Sequence, residues 1–130
     1  MIAPRTHLAI DQRLCGEPVS LSEGAATTRF TTTPEMAVDK RGLVHGGFVF
    51  GLVDHAAMLA INDPFVVLGG ADVRFTAPVK VGEIVTATAT RSQLKGAKHV
   101  VEVRATVGER PVLVGTLTAF VLDHHVLEAQ

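Results

Sequence analysis

Residues 46–62 read GGFVFGLVDHAAMLAIN, a helical stretch with almost nothing polar in it. A helix apolar on every side is expected to be buried on every side, which restricts the chain to folds that enclose one central helix. Asp54 stands at the middle of that stretch, with His55 beside it. A carboxylate there carries a desolvation cost of several kcal/mol unless it is paired, protonated or set in a cleft. Perturbed carboxylates of this kind cluster at functional sites. Asp54 is therefore the first candidate for a catalytic group; the alternative is a structural acid bonded to His55 or to a backbone N–H.

Around the helix the periodicity changes. A short amphipathic piece at Thr6–Leu14 precedes a break at Gly16-Glu17-Pro18, and Val19–Thr33 reads as strand or hairpin with a turn or bulge at Glu23-Gly24. Pro34–Gly42 is polar loop. After Asn62-Asp63-Pro64 the period becomes two: Val67–Thr76, Glu83–Arg91, His99–Val107 and Val112–Leu122 read as strands. Val81-Gly82, Lys95-Gly96 and Gly108-Glu109 have the composition of turns between them. A buried helix followed by four consecutive antiparallel strands, with strand before it, calls for a curved sheet wrapped about the helix, because a flat sheet covers one side only.

The bulk properties exclude several classes. At 130 residues the chain holds one core, and a net charge of −1 without Trp or Tyr offers little to nucleic acid or an acidic membrane. Residues 46–62 are too few, and too interrupted by Gly51, Asp54 and His55, to span a bilayer. The N-terminus lacks the apolar core of a signal peptide. Cys15 is alone, so no internal disulfide can form, and a cytoplasmic location is expected.

The order of strand, loop, His45-Gly46-Gly47, apolar helix with an internal acid, and four strands resembles the hotdog-fold thioesterases. Within them it is most similar to the phenylacetate-pathway (PaaI-like) type of acyl-CoA thioesterase. The resemblance runs from about Val38 to Val121. Its most specific parts are His45-Gly46-Gly47-x6-Asp54 and Arg74-Phe75-x-x-Pro78-x-x-x-Gly82-Glu83. It implies an α+β fold: a single hotdog domain over residues 1–130, with the long helix wrapped by a curved antiparallel sheet of about five to six strands. It implies hydrolysis of an acyl-CoA to free acid and CoA, with no cofactor beyond the CoA of the substrate. It also implies at least a homodimer with sites at the subunit boundary, and leaves open a tetramer of two dimers.

The chemistry of the motif stands on its own. Thioester hydrolysis builds negative charge on the carbonyl oxygen, and preorganised N–H donors at that point lower the barrier. A helix N-terminus supplies such donors, and Gly46 and Gly47 let a substrate approach them. Asp54 then serves as base or as nucleophile. Gly46 and Asp54 are eight residues apart on one helix, about 12 Å at the usual rise, too far to reach one carbonyl from a single chain. A composite site with Asp54 supplied by a partner subunit resolves this.

Other positions carry weaker expectations. His45 is a candidate base or merely a helix-cap neighbour. Asp39 stands where relatives carry an amide, and an ionised Asp accepts hydrogen bonds but cannot donate them. Met58 replaces the hydroxyl that some relatives place one turn after the acid, leaving Asn62 and Thr76 as candidates for orienting water. Phe48 and Phe50 line an acyl pocket or fill the core. Arg91, Lys95 and Lys98 are candidates for the CoA phosphates, the alternative being a solvated hairpin. His124-His125 lacks partners at metal-ligand spacing, so no metal is expected. Two further functions remain open: a non-catalytic acyl-CoA-binding hotdog module, and an acyl-thioester hydratase or dehydratase, whose His-Phe-Pro-Gly-like element this chain lacks.

Overall fold

The computed structural model describes residues 1–128. A short helix α1 (Gln12–Cys15) leads into a hairpin of β1 (Glu17–Ser22) and β2 (Ala25–Thr31). The central helix α2 (Gly46–Ile61) follows, then β3 (Val66–Phe75), β4 (Ile84–Lys95), β5 (Lys98–Val107) and β6 (Arg110–Val121). All six strands form one antiparallel sheet in the order β1-β2-β4-β5-β6-β3. This is the hotdog arrangement, and the strand count is the upper of the two expected. The Val19–Thr33 segment is a hairpin turning at Glu23-Gly24, and the strand begins inside the expected break, at Glu17.

Alternation sets the inner face of the sheet. Val85, Ala87 and Ala89 of β4, and Val101, Val103 and Ala105 of β5, are buried against α2, while Thr88, Thr90, Glu102 and Arg104 face outward. The residues under the helix are small, which lets it lie close to the sheet. Leu52, Val53, Ala56, Ala57 and Leu59 of α2 are completely enclosed. Thr28 on β2 donates its hydroxyl to the Leu52 carbonyl at 3.0 Å and ties helix to sheet.

The sheet covers only one side of α2. Across its C-terminal half the chain's own N-terminal arm lies on the other. Asn62, in the left-handed conformation that ends the helix, accepts from the Arg5 N–H at 2.7 Å and donates to the Ala3 carbonyl at 3.0 Å. His55 Nδ1–H donates to the Cys15 carbonyl at 3.2 Å, and the His7 ring stacks on it with centroids 6.1 Å apart. Burial pushes both imidazoles below their ordinary pKa.

The expectation that α2 is buried on every side fails along one stripe. Gly47 is exposed, and Phe50, Gly51 and Asp54 are half-exposed. A Cβ placed at Gly51 would meet nothing within 4 Å. The helix therefore presents one open face, and Asp54 lies on it.

The sheet's two edges differ. β1 is six residues long and blunted by Pro18, whereas β3 leaves ten residues of proline-free edge, interrupted by a bulge at Leu68–Gly70, with Gly69, Ala71, Asp72, Arg74 and Phe75 exposed. β3 packs on β6 only because position 115 is glycine: a Cβ there would sit 2.7 Å from the Val73 Cα. No helix among the described residues is long and apolar enough to cross a membrane.

Candidate active site

The segment ahead of α2 is stitched to the segment ahead of β4, and this fixes the helix N-terminus. Val44 N–H donates to the Val79 carbonyl and Val81 N–H to the Gly42 carbonyl, both at 2.8 Å. His45 N–H donates to the Met36 carbonyl at 2.9 Å. Met36, within the expected polar loop, belongs to a single 3-10 turn (Pro34–Met36) and is fully buried, which anchors the loop from beneath.

Asp39 has a local task that needs an acceptor. Its Oδ1 takes the Arg41 N–H at 2.9 Å and the Leu43 N–H at 3.2 Å, shaping the turn that leads to His45. An Asp at this place is thus consistent with the loop it holds.

His45 caps α2 by its backbone, without a side-chain hydrogen bond to the helix. Its ring is exposed, lies edge-on to Phe48 at 6.0 Å and rests above Gly47, where a Cβ would come within 2.9 Å of Nε2. Gly46 faces Phe75, and a Cβ there would be 3.3 Å from the ring. Beside Gly46 opens a cavity of about 360 Å³ lined by Val49, Phe75, Thr76, Pro78, Val79 and Val112, among others. Phe48 and Phe50 pack partly against the core and do not line it. Five of the lining residues, Phe75 to Val79, lie in the segment Arg74–Glu83, so the motif marked one wall of the cavity although its individual roles were not apparent.

Asp54 lies two turns further along α2. Burial raises its pKa from 3.8 to about 6. Its Oδ1 is sealed from solvent and has no hydrogen-bond partner among the described residues. Neighbouring His55 does not serve it, being committed to Cys15. Asp54 is also absent from the walls of the Gly46 cavity, so one chain does not bring the acid and the helix N-terminus together. Gly47, Gly51 and Asp54 share the open stripe, at spacings of four and three residues.

Other expected residues fall elsewhere. Asn62 is used up in holding the N-terminal arm, and the Thr76 hydroxyl donates to the Pro111 carbonyl at 2.9 Å, so neither is free to orient water. Lys95 and Lys98 close the turn between β4 and β5. Lys98 pairs with Phe120 on β6 whereas Phe75, beside Gly46, pairs with Leu113, seven residues away or about 23 Å along the strand. Within one chain the basic hairpin and Gly46 thus occupy opposite ends of the sheet. Arg91 covers Gly24 and lies 4.0 Å from Glu23. His124 and His125 lie beyond the end of β6, so strand alternation does not apply to them; His124 pairs with Asp123. The described residues hold no group of three metal-ligating side chains.

Comparison with known proteins places this geometry in context. A family model of the thioesterase superfamily matches residues 41–114. The chain is 48% identical over 120 residues to a methylthioribose-1-phosphate isomerase from Aquifex aeolicus, a match covering 92% of this chain and 26% of that protein. It is 28% identical over 114 residues to the transcription factor FapR of Caldanaerobacter subterraneus, covering 87% of this chain and 57% of the relative. The chain therefore spans only part of the length of both curated relatives. Among solved structures, the uncharacterized protein PH1136 from Pyrococcus horikoshii superposes with a TM-score of 0.96 and 49% identity over 97% of each chain. A mutant of the phenylacetic acid degradation protein PaaI from Thermus thermophilus gives 0.77 and 26%, covering 84% of this chain and 95% of that one.

Proposed function

Because the chain belongs to the thioesterase superfamily, we propose that it hydrolyses an acyl-CoA thioester to free acid and CoA at a site shared by two subunits. The observation that carries this reading is the Asp54 carboxylate: buried at Oδ1, unpartnered, with a pKa near 6, on the open stripe of a helix whose glycine N-terminus faces a cavity. A structural acid would have its hydrogen bonds satisfied by its own chain. Asp54 does not.

The chemistry assigns itself by charge. The Gly46 and Gly47 amides, at the positive end of the α2 dipole with no intrahelical acceptor, receive the thioester carbonyl oxygen as it becomes an oxyanion. As a base, Asp54 takes a proton from water while the oxygen adds to the carbonyl carbon. The C–S bond then breaks, and the departing thiolate takes up a proton. As a nucleophile, Asp54 adds to that carbon and expels the thiolate, and water then cleaves the mixed anhydride. Both routes require the acid ionised and within reach of the carbonyl.

A second copy of the chain supplies that reach. The proline-free edge of β3, regular from Gly70 to Phe75 and with Phe65 and Phe75 exposed on it or beside it, is a surface that another β3 can extend. Pairing there brings the open stripe of one α2 toward the glycine end of the other, so that each site takes its amides from one subunit and its acid from the next. The likeness to a relative named as a transcription factor, FapR, supports a second reading, a non-catalytic module; on the thioesterase fold that module would bind acyl-CoA without cleaving it.

Release of CoA thiol from acetyl-, hexanoyl-, palmitoyl-, phenylacetyl- and benzoyl-CoA separates the two. Turnover of some member by the wild type, reduced at least ~100-fold in Asp54→Asn, supports hydrolysis and identifies the acyl class. Binding of acyl-CoA without any thiol release overturns hydrolysis in favour of the module.

A further inference from the structure

Directly beyond the Gly46 cavity lies a second, larger cleft of about 720 Å³, and the two share Pro78 and Val79 as a common wall. Its floor is the junction where residues 39–43 meet residues 78–83. Arg41, Lys80 and Arg110 line it against Asp39 and Glu83, three cations to two acids.

Both acids are already occupied. Asp39 Oδ1 holds two backbone N–H groups, as described above. Glu83 accepts from the Lys80 N–H at 2.7 Å and from the Arg110 guanidinium at 3.0 and 3.1 Å, and the first of these bonds, more than the second, holds its carboxyl below the ordinary range. Arg110 is thereby spent on the turn. Arg41 and Lys80 are left: neither side chain has a hydrogen bond or close ion pair among the described residues, although the Lys80 charge also acts on Glu83 from a distance. These two cations flank a cleft that adjoins, across Pro78 and Val79, the cavity lined by Gly46.

Resting on the thioesterase reading for the identity of the ligand, we infer that Arg41 and Lys80 seat the phosphates of the CoA nucleotide in this cleft, so that the pantetheine arm runs over Pro78–Val79 to Gly46. An elongated substrate with an anionic head and an apolar tail matches the order of surfaces: cations, then a polar–apolar passage, then a cavity lined by Val49, Phe75 and Val112. The guanidinium suits phosphate oxygens in pairs, and the ammonium serves as a point charge. This assignment moves the anionic end of the ligand away from Lys95 and Lys98, which stand at the opposite end of the sheet within the chain.

Calorimetric titration with CoA, 3′-phospho-ADP and pantetheine tests it without requiring turnover. The comparison is between wild type, Arg41→Ala/Lys80→Ala and Lys95→Ala/Lys98→Ala; all four side chains are exposed, so the fold tolerates the changes. The expected result is a Kd for CoA and for 3′-phospho-ADP raised about tenfold in the Arg41/Lys80 variant. Pantetheine affinity stays at the wild-type value, and the loss shrinks as salt is added. CoA binding equal to wild type in that variant, or weakened only in the Lys95/Lys98 variant, overturns the assignment. So does a wild type that binds neither nucleotide. A wild type that binds CoA through Arg41 and Lys80 yet releases no thiol sustains the cleft assignment and refutes hydrolysis, so the two claims fail separately.

Discussion

Replacing Asp54 by Asn is predicted to stabilise the protein while abolishing turnover. Asn keeps the shape of the side chain and removes its charge. The rise of the Asp54 pKa from 3.8 to about 6 corresponds to about 3 kcal/mol at 1.36 kcal/mol per pH unit. Asp54 is only half-buried, so solvent screening reduces the realised effect to about 1–2 kcal/mol. The sign follows from where the proton is held more tightly. The folded chain keeps it up to about pH 6 and the unfolded chain releases it near 3.8. Native stability is therefore lost as pH rises between those values, and the penalty is complete above pH 6. The Asn variant has no such dependence. Urea unfolding at fixed protein concentration should show Asp54→Asn more stable at pH 7.5, with the gap narrowing steadily toward pH 4. Groups such as His7 and His55 titrate in both proteins and cancel in the difference. A variant less stable than wild type at pH 7.5, or a gap that does not change with pH, would mean that the carboxylate is satisfied in its charged form and that its burial carries no penalty.

Two further outcomes follow from the same geometry. The profile of kcat/KM should lose activity as pH falls through about 6, by about tenfold per unit below it, since the reaction needs Asp54 ionised; an acid limb near pH 4 would mean that the essential carboxylate is not held in the raised state that burial gives Asp54. Gly115→Val should force β3 away from β6 at Val73, costing about 1–3 kcal/mol and dissolving the dimer in size-exclusion chromatography, whereas an unchanged dimer would place the interface off the β3 edge.

Much of this architecture is legible in the chain. Period-two patterning located β3 to β6 because their inner residues, such as Val85, Ala87 and Ala89, alternate strictly with threonines that face solvent. The central helix and the position of Asp54 were equally plain. What periodicity does not carry is which element covers the outer side of that helix. The arm from Ala3 to His7 does so through Asn62 and His55, contacts across some 50 residues that leave no local pattern. Nor does apolarity alone reveal that Gly47 and Gly51 open a stripe, since a residue without a side chain reads the same whether buried or bare. The cleft at Arg41 and Lys80 was missed for a related reason. Basic residues close in sequence, as at Lys95 and Lys98, draw attention, while two that meet only when residues 39–43 pair with 78–83 do not.

If Gly46 of one subunit works with Asp54 of another, mixed dimers must recover activity that neither variant has alone. Asp54→Asn and Gly46→Val, each folded and each inactive alone, are co-expressed, and CoA thiol release is measured on the best substrate of the wild type. A shared site leaves every heterodimer one intact pair, Gly46 from the Asn variant and Asp54 from the Val variant. Random assortment then restores about a quarter of wild-type activity, as expected for two sites in a symmetric dimer. No activity above that of the separate variants, although heterodimers are present, would rule out a site shared between subunits and return both residues to a single chain.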